Sequence, residues 1–144
     1  MEETLATAWS LAVALLCGLV IGLERGHDTR DIPDEQRFAG LRTFGILGLL
    51  GGALGLIAAE IGGAVAGLGL VAIAAALILG HRAQMAIDKD VGITTLLAAM
   101  LTAALGILAG SGHPALAGAG AVVTALLLNL KATLHGLLRK VREE

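Results

Sequence analysis

Four stretches of this chain carry no Asp, Glu, Lys or Arg: Thr4–Leu23, Thr43–Ala59, Ile61–Gly80 and Val91–Leu130. Short, densely charged segments separate them. A bilayer-crossing helix needs roughly 20 apolar residues, with a range of about 17–25. The last stretch is about twice that length, and the sequence Gly110-Ser-Gly-His-Pro114 interrupts it, so it divides in two. The pattern predicts five helices, at about 5–23, 43–59, 62–80, 91–109 and 115–131. Lengths so close to the minimum imply little tilt, or extension into the flanks. Ala, Leu and Gly dominate these stretches, and the β-branched and aromatic alternation of a membrane barrel is missing. The expected fold class is therefore all-α: a polytopic transmembrane helical bundle. Residues 1–144 are read as a single transmembrane domain, with a connector over 24–41 and a short tail over 132–144.

Composition agrees with a lipid solvent. The chain is 56% hydrophobic and 15% charged, with a mean hydropathy of +0.85. Soluble domains carry about 25% charged residues, and a core of this size cannot hide so much apolar surface from water. There is no Tyr, one Trp and two Phe; Trp9, near the start of the first helix, suits a membrane interface. Glu2 and Glu3 stand where a signal peptide carries positive charge, so the first helix is expected to be retained. Cys17 is the chain's one cysteine and sits inside a predicted span, where it reads as a small apolar filler.

The ten Lys and Arg residues fix the expected orientation. Arg25, Arg30, Arg37 and Arg42 belong to the first connector, Arg82 and Lys89 to the third, and Lys131, Arg139, Lys140 and Arg142 to the tail. With an odd number of spans, all of these fall on one side, which the positive-inside rule makes cytoplasmic. The N-terminus is then outside and the C-terminus inside. The formal net charge of −2 adds little to this asymmetry.

Glycine sets the expected packing. Of 21 Gly, Gly18, Gly22 and Gly26 form one stripe of the first helix; Gly48 and Gly52 do so in the second, and Gly63 and Gly67 in the third. Gly40 precedes the second helix. Small residues at this spacing let helix backbones approach closely. Such stripes serve internal packing, a dimer seam or a Gly-lined path, and internal packing is the commoner use.

The connector middle, "DTRDIPDEQ", reads as an exposed loop. Its ends differ. Glu24 lies at an apolar boundary, and Arg42 sits within "AGLRTFGILGLL". A charge at the bilayer centre costs about 2.5–3.5 kcal/mol, less near the interface. A hairpin brings both residues to one depth, so an ion pair is one expectation. The other is a snorkelling Arg and a solvated Glu.

"GLVIGLERG", followed by a polar connector and "AGLRT", resembles the signature of the MgtC/SapB family of bacterial membrane proteins. The matching positions are Gly18, Gly22, Glu24, Arg25, Ala39, Gly40, Leu41, Arg42 and Thr43. The later "DVGITTLLAAMLTAALGILAG" is similar to a branch in which such a half precedes a second membrane domain. The chain ends soon after the fifth helix in "LLRKVREE", so it is expected to be a minimal stand-alone member or a membrane half. The resemblance implies a cytoplasmic-membrane protein linked to magnesium limitation, acting as a transport component or as a regulator of other membrane proteins.

Other candidate chemistry is sparse. Asp88 and Asp90, flanking Lys89, could attract a hard cation such as Mg²⁺ at a pore mouth, or merely suit the start of the fourth helix. Thr94, Thr95, Thr102, Thr124 and Asn129 could line a polar track, although such side chains more often bond to helix backbone. His27, His81, His113 and His135 are scattered and lack zinc-ligand spacing. The glycine-rich runs lie in lipid-length helices and are not phosphate loops. With no nucleophile–base arrangement, the chain is expected not to be an enzyme. No cofactor is implied beyond Mg²⁺ or another cation as ligand or substrate. The expected partners are the lipid bilayer, a second copy or another membrane protein, and not nucleic acid. The tail "KATLHGLLRKVREE" mixes basic and apolar residues; it could continue the fifth helix and lie along anionic lipid.

Overall fold

The computed structural model describes residues 1–28, 39–85 and 93–141, without the side chains of residues 27–28 and 131–141. It contains five α-helices: α1 (Glu2–Asp28), α2 (Leu41–Ile61), α3 (Ala64–Met85), α4 (Ile93–Gly110) and α5 (Pro114–Val141). There is no strand among the described residues. All five expected helices are present. Several run past their apolar stretches: α1 continues to Asp28, α3 to Met85 and α5 to Val141. A helix ends where hydrogen bonding and capping fail, not where lipid ends, so charged flanks that form helix well prolong it. α1 to α4 are long and apolar enough to cross a membrane, whereas the apolar part of α5, Pro114–Leu130, is shorter.

Two tight turns are legible in their residues. α2 stops at Gly62, whose φ of 118° is open to glycine, and its N–H reaches the Ala58 carbonyl at 2.9 Å. Between α4 and α5, Gly112 has φ 90°. Its N–H donates to Ala109 O at 3.2 Å, and that of His113 to Leu108 O at 3.1 Å, a Schellman closure of α4. Pro114 then opens α5, where its missing N–H costs nothing.

α2 packs on α1 and α4, and α1 also meets α4 and α5. Among the described residues, α3 touches only α2 and α4, and its buried residues are Ile73 and His81. The core between α1, α2 and α4 is built from small side chains, including Ala14, Ala99, Ala103 and Ala109, around fully buried Ile21, Phe44 and Thr102. Backbone meets backbone there. A methyl on Gly106 would overlap the Gly48 carbonyl oxygen, and one on Gly110 that of Gly52. Gly51 and Gly55 press likewise on the carbonyls of Ala103 and Ile107. These contacts make α2 and α4 parallel neighbours. Without a hydrophobic force between helices in lipid, such close approach is what supplies attraction.

The glycine stripes therefore divide. Gly18, Gly22, Gly48 and Gly52 lie at close crossings, whereas Gly26, Gly40, Gly63 and Gly67 have open space where a Cβ would be. The expectation of one continuous packing stripe through Gly26, and of packing at Gly40, is corrected. Both lie at helix margins, past the stretch where α1 and α2 press together.

Candidate functional site: a polar clasp at the basic end

Arg25, Arg42 and Arg82 lie at the same end of the bundle, where α1 and α3 finish and α2 starts. The opposite end carries Glu2, Glu3 and Glu60. At the basic end, Gly18 and Gly22 seat the first turn of α2 on α1: a Cβ at Gly22 would stand 2.9 Å from Phe44 Cβ and 3.1 Å from Leu41 Cα. The "GLVIGLERG" and "AGLRT" segments are thus halves of one packing joint, with Phe44 fully buried in it.

Glu24 and Arg25 follow this joint. Successive helical residues point about 100° apart, so the two side chains leave α1 toward different neighbours. Arg25, 8% exposed, donates from Nη1 to Thr95 Oγ1 on α4 at 3.2 Å. Glu24, half-buried, accepts on Oε1 from Asn129 Nδ2 on α5 at 2.8 Å. A carboxylate accepts only, so the amide nitrogen of Asn129 must face it. This contact, together with Trp9 and Pro114 lining one groove, sets α1 and α5 side by side and parallel, spanning the same depth.

Arg42 and Thr43 are exposed at the start of α2. The expected Glu24–Arg42 ion pair is not formed. The hairpin does bring the two helices together, but Phe44, not Arg42, occupies the face against α1, and Glu24 turns to α5 instead. Sequence reasoning named Thr95 and Asn129 only as members of a polar track. Their signal was present: each is a polar residue in an apolar stretch, at the depth of the motif charges. Thr102 and Thr124 do not extend a track. Their hydroxyls donate to Ala98 O at 2.8 Å and Gly120 O at 2.7 Å in their own helices.

Asp88 and Asp90 lie outside the described residues, as do Arg30 and Arg37 and the side chains of His27 and His135. Among the described residues, no three His, Cys, Asp or Glu side chains come close enough to hold a metal ion. Cys17 is buried and free. It lines an apolar groove of about 430 Å³ between the N-terminal halves of α1 and α5, with Trp9, 63% exposed, at its edge.

A model of the MgtC family matches residues 11–137, most of the chain, and takes in both halves of the joint and all four clasp residues. No curated protein and no solved structure matches.

Proposed function

The chain belongs to the MgtC family, and from that membership we propose that it serves magnesium homeostasis in a bacterial cytoplasmic membrane, as a non-enzymatic regulator that binds another membrane protein. The basic end faces the cytoplasm in this reading, as the positive-inside rule directs. The observation that favours a regulator is how the polar groups of the bundle are used. Arg25 is turned to Thr95, Glu24 to Asn129, and the Thr102 and Thr124 hydroxyls to their own helix backbones. Each contact joins helices or satisfies a hydroxyl inside the protein. Meanwhile α3 leaves Leu68, Val71 and Leu79 exposed, with open space at Gly67, a small-residue face suited to another helix.

Cation transport through an oligomer is the second reading. Glu24 supports it, because a half-buried carboxylate at the basic end can meet an ion from that side. Purified chain in liposomes, assayed for Mg²⁺, H⁺ and K⁺ flux, separates the two. A regulator gives flux equal to empty vesicles, and its Gly67→Leu variant, folded normally, fails to support growth at low magnesium. Flux that Glu24→Gln abolishes overturns the regulator reading in favour of transport.

A further inference from the structure

α1 and α5 run side by side from the acidic end of the bundle, and the apolar groove of about 430 Å³ lies between them. Its floor is made by Val13 and buried Cys17 from α1 and by Gly118 and buried Ala121 from α5. Cys17, Gly118 and Ala121 are small, and a Cβ on Gly118 would have nothing within 4 Å. Exposed Trp9, Leu16 and Val20 form one rim and exposed Val122 the other. Bulk at the edges and small side chains between them make this lipid-facing surface concave.

The dimensions select what fills it. Trp9 and Val20, its limits on α1, are eleven residues apart, about 16 Å along the helix. The Glu24–Asn129 contact sets Pro114 at the depth of Trp9. Exposed His113 precedes Pro114, so the groove opens where the polar turn between α4 and α5 meets the membrane interface. Its length is then about that of one leaflet, half of the roughly 30 Å hydrocarbon core. Spread over that length, 430 Å³ gives a section of about 27 Å². A helix with its side chains, about 10–12 Å across, has about three times that section or more. An apolar void holds no water, and leaving it empty forfeits the dispersion contacts of its lining. A single extended hydrocarbon chain matches the length, the section and the apolar lining.

Charge at the mouth selects the headgroup. Glu2 lies seven residues before Trp9, on the same stripe of α1 and about 10 Å farther out, with Glu3 beside it. Among the described residues, no Lys or Arg lies at that end. These carboxylates repel an anionic headgroup and attract the ammonium of a zwitterionic one.

We propose that the groove holds one acyl chain of a zwitterionic phospholipid from the leaflet at the acidic end, seated over Gly118 between Trp9 and Val122. The site requires only that the bundle is embedded in a bilayer and does not depend on the regulatory reading above.

Trp9 is the chain's one tryptophan, so its fluorescence reports on the groove mouth. The full chain is reconstituted in phosphatidylglycerol vesicles containing a minor share of phosphatidylcholine with brominated acyl chains, which quench indole on contact. The expected quenching exceeds the share of brominated lipid. Gly118→Leu, which fills the groove, abolishes that excess at an unchanged melting temperature; if it does not fold, Ala115→Leu at the exposed rim makes the same test. Quenching of the parent chain in proportion to the brominated lipid overturns the proposal. Quenching below that proportion means that protein covers the groove, and overturns it too. Brominated phosphatidylglycerol that exceeds its share in phosphatidylcholine vesicles overturns the choice of headgroup. Native mass spectrometry after delipidation in detergent gives a second reading. The parent should keep one phospholipid per chain and the Gly118→Leu variant none; equal retention by the two overturns the site.

Discussion

Asn129 donates an amide hydrogen to Glu24 across 2.8 Å, and the two residues are 105 positions apart in the chain. The contact ties the first helix to the last and leaves Arg42, the hairpin neighbour, out of the clasp. Interhelical hydrogen bonds in membranes average about 0.6 kcal/mol and reach about 1.7. Glu24→Gln and Asn129→Ala should each destabilise the bundle, and the double variant should lose less than the sum, by about 0.5–1.5 kcal/mol. Unfolding of the four proteins in mixed micelles measures this coupling. Additive losses would mean that the two side chains do not touch.

Arg25 and Arg42 make a matched comparison. Arg25 is buried and held by Thr95, whereas Arg42 is exposed. Arg25→Gln should cost about 1–3 kcal/mol, because it removes a charged donor from a site built around it. Arg42→Gln should stay within about 0.5 kcal/mol. Equal melting temperatures for the two variants would contradict the assignment of Arg25 as the structural charge.

Glycines at crossings and glycines at margins should respond with opposite signs. Gly106→Ala forces a methyl onto the Gly48 carbonyl and should destabilise by about 1–3 kcal/mol. Gly26→Ala meets nothing within 4 Å and should be neutral or stabilising, by up to about 1 kcal/mol, because alanine is the better helix former. Thermal unfolding in detergent checks the pair; a stabilised Gly106→Ala would rule out the close α2–α4 crossing.

Orientation is tested by labelling. His113, exposed in the turn before α5, should react as cysteine with an impermeant reagent added outside the cell. Arg42→Cys should react only after the membrane is opened. Labelling of both from outside would break the alternation of five helices.

Much of this architecture was readable along the chain, for identifiable reasons. Runs free of charge mark the parts of helices that lipid surrounds, so all five helices could be placed. The same rule is silent on residues 131–141, which hold no charge-free run, and α5 continues through them to Val141, as the mixed basic and apolar tail allowed. Gly18, Gly22, Gly48 and Gly52 were legible by spacing, whereas Gly106 and Gly110 became informative only once α4 was set beside α2. The partners of Glu24 and Arg25 were not legible. Sequence spacing fixes the relative depth of hairpin neighbours, but the contact between parallel α1 and α5 depends on the packing of the helices between them.

The neighbouring placement of α1 and α5 also has a consequence for biosynthesis. A ribosome adds about 5–20 residues per second, and 105 positions separate Glu24 from Asn129. About 5–20 s therefore pass after Glu24 is made before its partner exists. During that interval α1 and α2 can already join through Gly18, Gly22 and Phe44, while a carboxylate at their edge remains uncovered. The α1–α5 flank closes only when α5 arrives, and the nascent chain must tolerate an open flank until then.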